Sequence, residues 1–384
     1  MKKNDWTILL AFLAGIVCVA CAAPEPEPES ASLPPVSLYS PARDPAEIYA
    51  ETMTLDQQIA QMFLIRCPES GTNTLLQTYD IGGLILFGRD FKGETPESLR
   101  ASIAGYQQNA HTPLFIAVDE EGGTVVRASA YKAFRKSRFR APQDLYADGG
   151  LEEIIDDCAE KDAFLRDLCI NVNLAPVCDI STDPADFIYA RSLGKSADET
   201  SRYIEAVVSR MRQDGIGSVL KHFPGYGNNA DTHTGSAIDN RPFRQFEESD
   251  LLPFEAGARA GAGAVLVSHN VIRCMDPALP ASLSPAVHQI LRSRLGDKIV
   301  VMTDDLIMEA ILQYTAGADA AVLAVKAGND MLISSDFAVQ FEAVRNAVQN
   351  GEISEAEILQ HCIRILRWKM DLGLIGEESN DCGN

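Results

Sequence analysis

Eight short apolar runs, each followed by turn residues and a stretch of helical periodicity, constrain the fold of this chain more than any other feature. Apolar runs separated by amphipathic helices predict parallel strands, because a parallel pair needs a crossover that returns the chain to the same edge. Eight such units predict one (β/α)8 barrel of the TIM type. A doubly wound open sheet is the alternative, but no GxGxxG follows the first run. The runs span residues 62–67, 82–88, 113–119, 171–179, 217–225, 262–270, 298–305 and 329–335.

Helix signals lie between these runs. Thr54 to Gln57 and Ser354 to Glu357 both have the S/T-x-x-E/Q form of a capping box, which predicts that a helix starts at each. The longest segment between two runs, 120–170, contains a basic patch at 132–140 and turns rich in Asp and Gly. We expect this segment to form a lid or an extra pair of helices.

The first 45 residues differ in composition from the rest. Two lysines, an apolar run over 6–20 and small residues before Cys21 are typical of a secretory signal peptide, and Cys21 resembles the acylated cysteine of bacterial lipoproteins. We predict a signal peptide over 1–20, lipidation of Cys21, and a membrane-anchored lipoprotein in the periplasm or at the cell surface. A cleaved signal without lipid and an uncleaved anchor are the alternatives.

Residues 24–35 alternate proline with glutamate, which favours an extended and solvated chain. We therefore predict a tether over 22–45, a barrel domain over 46–375 and a short tail over 376–384. The formal net charge of -21, from 33 basic and 54 acidic residues, argues against a nucleic-acid partner.

The cysteines beyond the signal show no CxxC pair and are odd in number, so neither a disulfide framework nor a zinc site is indicated. Cys67, Cys178 and Cys274 lie in apolar runs and are expected to be buried thiols.

Polar residues gather where the predicted strands end, and in a barrel of this kind the functional site lies at the carboxyl ends of the strands. Carboxylates combined with a few Lys, Arg and His suit a sugar, whose hydroxyl groups both donate and accept hydrogen bonds. Asp304, at the end of the seventh run, is a candidate nucleophile. The other polar residues at these ends are Arg89, Asp90, Asp119, Glu120, Glu121, Asp179, Lys221, His222, Ser268, His269, Asn270 and Asp305.

The segment KHFPGYGNNADTH, residues 221–233, holds two of the six histidines. A glycine-rich polar loop can bring His233 over a bound substrate, and Asp231 can accept a hydrogen bond from the imidazole and favour its protonated form. His233 can then serve as general acid and general base. A zinc site made by His222, His233 and Asp231 is an alternative that the glycine-rich spacing disfavours. A phosphate-binding loop is excluded because the GK[ST] ending is absent.

Several motifs in one order resemble a known family. KHFPG-x-G followed by D-x-H, VDEEGG-x-V-x-R at 118–127, ARSLG at 190–194, PASLS at 280–284 and TDDL-x-ME at 303–309 resemble the β-N-acetylhexosaminidases of glycoside hydrolase family 3. The likeness extends over about residues 50–372. It implies a single-barrel enzyme that removes terminal N-acetylglucosamine with retention of configuration and needs no metal or organic cofactor.

The resemblance also implies roles for particular residues. Asp304 matches the nucleophile that forms a covalent glycosyl-enzyme, and His233 with its partner Asp231 matches the general acid/base. The positions that match the family's contacts to the sugar hydroxyls and the acetamido group are Asp119, Arg127, Arg191, Lys221 and His222. We expect a substrate with terminal N-acetylglucosamine, such as peptidoglycan fragments, and a membrane contact through the lipid.

This sequence departs from the family pattern at three places. Tyr226 stands where a second histidine is usual, the loop before D-x-H is one residue shorter, and Thr124 replaces a common arginine. The alternatives that remain are a sugar-binding lipoprotein without turnover, a family 3 β-glucosidase, a phosphorylase that uses phosphate as acceptor, and a substrate-assisted hexosaminidase with Asp119 and Glu120 as its acid pair.

Overall fold

The structure is a computed structural model that describes residues 43–229, 237–312, 314–315 and 317–376. The predicted signal peptide, the lipidation of Cys21 and the predicted tether as far as residue 42 lie outside the described residues, as do residues 377–384 of the predicted tail. Within the described part of the chain, no helix has both the length and the apolar composition needed to cross a membrane.

Eight parallel strands form one sheet in the order β10-β1-β2-β3-β4-β5-β7-β9. A parallel bridge between Met302 and Met331 joins the two ends of this order, so the sheet curls into a barrel. The predicted barrel is therefore confirmed, and each predicted apolar run contains one strand. The strands are β1 Phe63–Arg66, β2 Gly83–Leu86, β3 Phe115–Val118, β4 Val172–Asn173, β5 Gly217–Phe223, β7 Ala264–Val267, β9 Val300–Thr303 and β10 Leu332–Ser334.

A second sheet, which the sequence did not indicate, consists of β6 Ile238–Asp239 and β8 Val271–Ile272. The two strands are parallel and pair Ile238 with Val271. They join the segment that follows β5 to the segment that follows β7. Strands of two residues have too few positions to show a periodicity, which is why the pattern missed them.

Helices surround the barrel and return the chain between strands. Among the described residues they are α1 Pro45–Glu51, α2 Leu55–Gln61, α3 Thr72–Thr78, α4 Gly88–Phe91, α5 Pro96–Asn109, α6 Pro142–Asp167, α7 Ala197–Asp214, α8 Phe243–Gln245, α9 Leu251–Ala260, α10 Pro285–Leu295, α11 Glu309–Leu312, α12 Gly317–Ala327, α13 Phe337–Gln349 and α14 Glu355–Asp371. Single turns of 3-10 helix form at Tyr189–Arg191 and Ala281–Leu283, and a π-helical turn at Phe246–Asp250 precedes α9.

The predicted capping boxes start helices as expected. The Thr54 hydroxyl accepts the Gln57 N–H at the start of α2, and Ser354 with Glu357 forms the same reciprocal pair at the start of α14. Such caps satisfy N–H groups that have no partner within the helix, so the first turn can be read from sequence alone.

The segment 120–170 forms a loop and then a pair of consecutive helices, which agrees with the expected helix pair. The two helices lie within α6 and are separated by a kink at Gly150, whose φ of 67° and ψ of -146° are not helical. The loop turns sharply at Gly122, where φ is 106° and a Cβ atom would lie 2.2 Å from the Arg140 carbonyl oxygen. Only glycine fits there, because other residues rarely adopt this positive φ and because a Cβ atom would clash with the backbone at Arg140.

The described body begins slightly before the predicted boundary at residue 46. Arg43 and Asp44 already make ion pairs, with Glu51 and Arg367 respectively. Ala46 and Ala50 of α1 are fully buried in a small apolar cluster with α14. The amino-terminal helix is thus part of the barrel body.

The expectation for the cysteines was correct at two positions and wrong at one. Cys67 and Cys178 are buried, whereas Cys274 is exposed. Cys274 follows β8 in a turn, where the apolar pattern that suggested burial has already ended.

Candidate active site

The carboxyl ends of the barrel strands meet at one mouth, and most of the predicted site residues are found there. Asp119 follows β3 directly, Lys221 and His222 belong to the last residues of β5, and Asp304 follows β9. Arg127 comes from the loop after β3. Arg191 ends the 3-10 turn in the loop after β4.

Lys221 lies at the floor of this mouth and joins two carboxylates. Its Nζ donates to Asp119 Oδ1 at 2.7 Å and lies 2.6 Å from Glu121 Oε1. Only 2% of the Lys221 side chain is exposed. An ammonium this deep needs charged partners, because burial of an unpaired charge is very costly.

An irregularity in β5 lets neighbouring residues both serve the site. The register against β7 shifts between Lys221 and Phe223. In a regular strand consecutive side chains point to opposite faces. Here Lys221 and His222 both make polar contacts at the mouth, which the plain alternation of a strand would not allow.

Glu121 anchors two cations from different parts of the chain. The Arg191 guanidinium donates to both of its carboxylate oxygens, at 3.0 and 2.7 Å, and Lys221 binds Oε1. Burial alone would raise the pKa of Glu121, but the charges of Lys221 and Arg191 outweigh it and hold the pKa well below its ordinary value. Glu121 is therefore a fixed negative charge that positions both cations.

His222 is held between Arg191 and Asp179. Arg191 Nη2 lies 3.1 Å from His222 Nε2, and His222 Nδ1 lies 2.7 Å from Asp179 Oδ2. A guanidinium only donates, so Nε2 accepts and the proton resides on Nδ1, which donates to Asp179. Both ring nitrogens thus have protein partners, and the hydrogen bond to Nε2 helps to fix the position of the Arg191 guanidinium.

Glu120 shapes the loop that carries Arg127. It is fully buried, and Oε2 accepts the backbone N–H groups of Arg127 and Ala128, both at 2.9 Å. The Ser129 hydroxyl donates to the other oxygen. Because its acceptor capacity is used inside the protein, Glu120 does not form an acid pair with Asp119, which removes the basis for the substrate-assisted alternative.

Arg127 itself reaches the mouth. Its guanidinium lies 3.6 Å from Asp119 Oδ2 and 5.9 Å from the centre of the Phe87 ring. About a quarter of its side chain, 27%, is exposed, compared with 2% for Lys221. Arg127 and Asp119 therefore line the open part of the mouth above a buried charged floor.

Asp304 and Asp305 differ in surroundings although they are neighbours. Asp304 is half-buried at the mouth and its Oδ1 accepts the Asp305 N–H at 2.8 Å. Asp305 accepts the Ile307 N–H and a hydrogen bond from the Ser335 hydroxyl. Burial raises the pKa of Asp305. Through these contacts Asp305 fixes the turn behind Asp304.

His269, on the neighbouring strand end, is a packed residue. It is 1% exposed, Nδ1 lies 2.7 Å from the Ser282 hydroxyl, and Nε2 lies 3.2 Å from the Asp305 carbonyl oxygen. The imidazole of His269 thus connects Ser282 of the PASLS motif to Asp305 in the turn after β9. Its burial and its two hydrogen-bond partners make His269 a packed residue of the barrel and not a ligand-binding residue of the rim.

Asp231 and His233 fall in residues 230–236 and lie outside the described residues. The two chain segments that flank this stretch are tied together by described side chains. Asn229 Nδ2 donates to Asp239 Oδ2 at 2.8 Å, and Arg241 donates to Asp239, to Asp250 and to the Gly225 carbonyl oxygen. The sequence analysis did not identify Arg241 or these hydrogen bonds.

Tyr226, which departs from the family pattern, packs against the site. Its N–H donates to Asp179 Oδ1 at 2.7 Å, and its ring meets the His222 ring edge to face with centroids 5.4 Å apart. It is 3% exposed. Tyr226 therefore fills space beside His222 and supports Asp179, the carboxylate that orients the histidine.

Two of the three residues of the zinc alternative, Asp231 and His233, lie outside the described residues, so it stays an alternative; among the described residues no group of three or more His, Cys, Asp or Glu side chains could hold a metal ion. Sequence reasoning missed the role of Asp179 as an anchor. Its only signal was a carboxylate at the end of a predicted strand, which does not distinguish an anchor from a ligand.

Known proteins resemble this chain in sequence and structure. A beta-hexosaminidase of Nitrosomonas eutropha is 31% identical to it, in a match that covers 66% of this chain and 73% of that protein. A beta-hexosaminidase of Tolumonas auensis is also 31% identical, and that match covers 74% of this chain and 84% of that protein. A glycoside hydrolase family 3 beta-N-acetylglucosaminidase from Paenibacillus superimposes with a TM-score of 0.78 at 29% identity. That match covers 86% of this chain and 65% of the other, so the chain spans slightly less than two thirds of that protein.

The barrel, its charged mouth and these relatives define the protein as a glycoside hydrolase. The Glycosyl hydrolase family 3 N terminal domain matches residues 54–368, most of the described body, and the chain belongs to this family.

Proposed function

We propose that the protein is an exo-acting β-N-acetylglucosaminidase that hydrolyses terminal β-linked N-acetylhexosamine with retention of configuration. The observation that carries the proposal is the half-buried Asp304 at the end of β9, which shares a barrel mouth with the Asp119, Lys221 and Arg191 cluster. Beta-hexosaminidases are also among the relatives at 31% identity.

In the first step Asp304 attacks the anomeric carbon. A bond forms between C1 and a carboxylate oxygen while the bond from C1 to the leaving oxygen breaks, and His233 gives its proton to that oxygen. In the second step His233 takes a proton from water, the water oxygen bonds to C1, and the Asp304 carboxylate is released. Two displacements at C1 return the original configuration.

The charged cluster binds the sugar in this proposal. Asp119 accepts from a ring hydroxyl, while Arg127, Arg191 and Lys221 donate to hydroxyl and acetamido oxygens. His222 positions Arg191, since both of its ring nitrogens already bind protein groups. Such donors and acceptors cost little reorganisation because Glu121 and Asp179 hold them before the substrate arrives.

The Asp231 and His233 pair supplies the acid/base. An imidazole in place of a second carboxylate brings no additional negative charge toward Asp304, so an anionic acceptor is less strongly repelled than in a two-carboxylate site. Water is the acceptor that we propose, and phosphate in its place would give a glycosyl phosphate product.

We also propose that the enzyme is an exported lipoprotein that is anchored through Cys21 and acts on peptidoglycan fragments. The support is the signal-like composition of residues 1–20 and the Pro/Glu alternation that follows Cys21. Metabolic labelling with an alkyne fatty acid tests the anchor. Label in the wild type and its loss in Cys21→Ser would agree with it, and equal labelling of both would contradict it.

The catalytic proposal is tested by the first-formed product and by trapping. Proton NMR of early hydrolysis of the nitrophenyl β-N-acetylglucosaminide should show the β-anomer first. A 5-fluoro N-acetylglucosaminyl fluoride slows both steps but keeps a good leaving group, so it should leave a covalent label on Asp304 that peptide mass spectrometry finds. An α-anomer as first product, or a label on another residue, would refute the retaining mechanism through Asp304.

A further inference from the structure

Exposed apolar residues gather around the active-site mouth. Among the described residues five large hydrophobic side chains are exposed, and three of them, Phe187, Ile238 and Ile307, lie in segments that follow the carboxyl ends of β4, β5 and β9. The other two, Ile48 and Val339, lie on α1 and α13. Exposed apolar groups concentrated at a binding site mark a surface that contacts a ligand.

Phe187 is connected to the buried site through aromatic contacts. Its ring centroid lies 5.8 Å from that of Tyr226, and the Tyr226 ring lies 5.4 Å from that of His222. Tyr226 is buried, while Phe187 is 40% exposed. The outer face of this aromatic chain is therefore available beyond the charged floor.

The polarity of the mouth changes with depth. Its floor consists of buried charges, with Lys221 and Glu121 exposed by 2% and 4% at their side chains. Ile307 lies three residues beyond Asp304, and its N–H binds Asp305. A sugar held on the charged floor with C1 toward Asp304 directs its leaving group outward, past the apolar rim.

We propose that Phe187 is the stacking platform of a leaving-group subsite and that it selects a second sugar ring. The face of a pyranose presents C–H bonds to the negative face of an aromatic ring, which attracts them, while the equatorial hydroxyls remain in water. The preferred substrate is then a glycan with at least two rings. The inference rests on the proposed glycosidase function and extends it to the leaving group.

The experiment measures binding and turnover separately. Isothermal titration calorimetry with the S-linked N-acetylglucosamine disaccharide, which resists cleavage, reports on both subsites, and N-acetylglucosamine alone reports on the floor. Phe187→Ala should weaken disaccharide binding by about 3- to 10-fold and change monosaccharide binding by less than about 2-fold. Phe187→Trp should retain disaccharide binding. Ile48→Ala is the matched control, because Ile48 on α1 is a similarly exposed apolar residue, and it should bind both ligands like the wild type.

Turnover provides the second readout. Phe187→Ala should lower kcat/KM for the O-linked disaccharide by a similar factor and leave kcat/KM for N-acetylglucosaminyl azide, whose leaving group has no ring, nearly unchanged. If Phe187→Ala lost affinity equally for both ligands and kcat/KM equally for both substrates, the role of Phe187 would be structural. If its affinity for the disaccharide were unchanged, Phe187 would not be a stacking platform. Either result overturns the proposal. A wild type that binds the disaccharide but cleaves nothing would refute the proposed function while the binding ratio still decides the subsite.

Discussion

Two buried charge clusters at opposite ends of the barrel have the same design and different neighbours. At the mouth, Glu121 holds Lys221 and Arg191. At the other end, Asp330 precedes β10, is fully buried, and accepts hydrogen bonds from Arg292, Arg364 and His361. Burial alone would raise the pKa of Asp330, but the His361 hydrogen bond and the Arg292 charge hold it well below its ordinary value.

The two clusters differ in the other groups that surround them. Asp330 also accepts the Val301 N–H, and its partners come from α10 and α14, so the cluster ties helices to β9. At the mouth, Lys221 instead also binds Asp119, which is partly exposed and pairs with the partly exposed Arg127. The same arrangement, a buried carboxylate paired with cations, thus stabilises the fold at one end and forms part of a binding surface at the other. In barrels of this type stability residues generally lie at the amino-terminal end and functional residues at the carboxyl end of the strands.

The largest expected effect separates catalysis from stability at the mouth. Asp304→Ala should reduce kcat for the nitrophenyl β-N-acetylglucosaminide by at least about 10³-fold, because the attacking carboxylate is removed. Thermal unfolding should change little, since the residue is only half-buried. Asp336→Ala, an exposed carboxylate after β10, is the control and should keep full activity. Wild-type activity in Asp304→Ala would remove the distinction between the two ends.

The Asp330 cluster should show the reverse behaviour. Asp330→Asn leaves two arginines without their buried counter-charge and should lower the free energy of unfolding by about 3–5 kcal/mol. Activity per folded molecule at low temperature should remain close to that of the wild type. Urea unfolding measures the first quantity and active-site titration the second. Glu352→Gln, which removes one exposed ion-pair partner, should change stability by less than about 1 kcal/mol.

The pH dependence of the same variant sharpens this test. The pKa of Asp330 is lower in the folded protein than in the unfolded chain, so its stabilising contribution is complete above the ordinary carboxyl range and is lost as the pH falls below about 4. The stability difference between the wild type and Asp330→Asn should therefore shrink on acidification. A difference that grows in acid would contradict the assignment.

Glu121→Gln should affect function and stability together, and both moderately. The neutral amide no longer fixes Lys221 and Arg191, so kcat/KM should fall by about 10- to 100-fold, mainly through a higher KM. Initial-rate kinetics together with urea unfolding measures both effects. A variant that loses stability but keeps kcat/KM would make the mouth cluster purely structural, like the cluster around Asp330.

Lys369 in α14 offers a further pH test away from both clusters; its Nζ donates to Gln61 Oε1 at 2.7 Å. Burial lowers its pKa to about 7 from an ordinary 10.5. Between these values the unfolded chain binds a proton that the folded protein does not, so the contribution of Lys369 to stability increases as the pH rises. Unfolding at pH 7 and pH 9.5 should show this increase in the wild type relative to Lys369→Met. A parallel pH profile in the two proteins would exclude it.

The sequence predicted the barrel and the strand ends well because these depend on local patterns. All eight apolar runs contain a barrel strand, and the capping boxes at Thr54 and Ser354 start helices. It failed where a local pattern was misleading or too short, as at exposed Cys274 and at the two-residue strands β6 and β8. The two helices of segment 120–170 match the expected pair, and Gly150 separates them because glycine adopts a positive φ without steric cost.

The sequence by itself determined the order of strands and helices and where Asp304, Lys221 and Asp119 stand along the chain, because periodicity and caps act over a few residues. Only the tertiary structure decided which charges pair. Lys221 and Asp119 are 102 residues apart, and Arg191 and Glu121 are 70 apart. Closure of the barrel brings strand ends together regardless of that separation, and burial then requires each charge to find its partner.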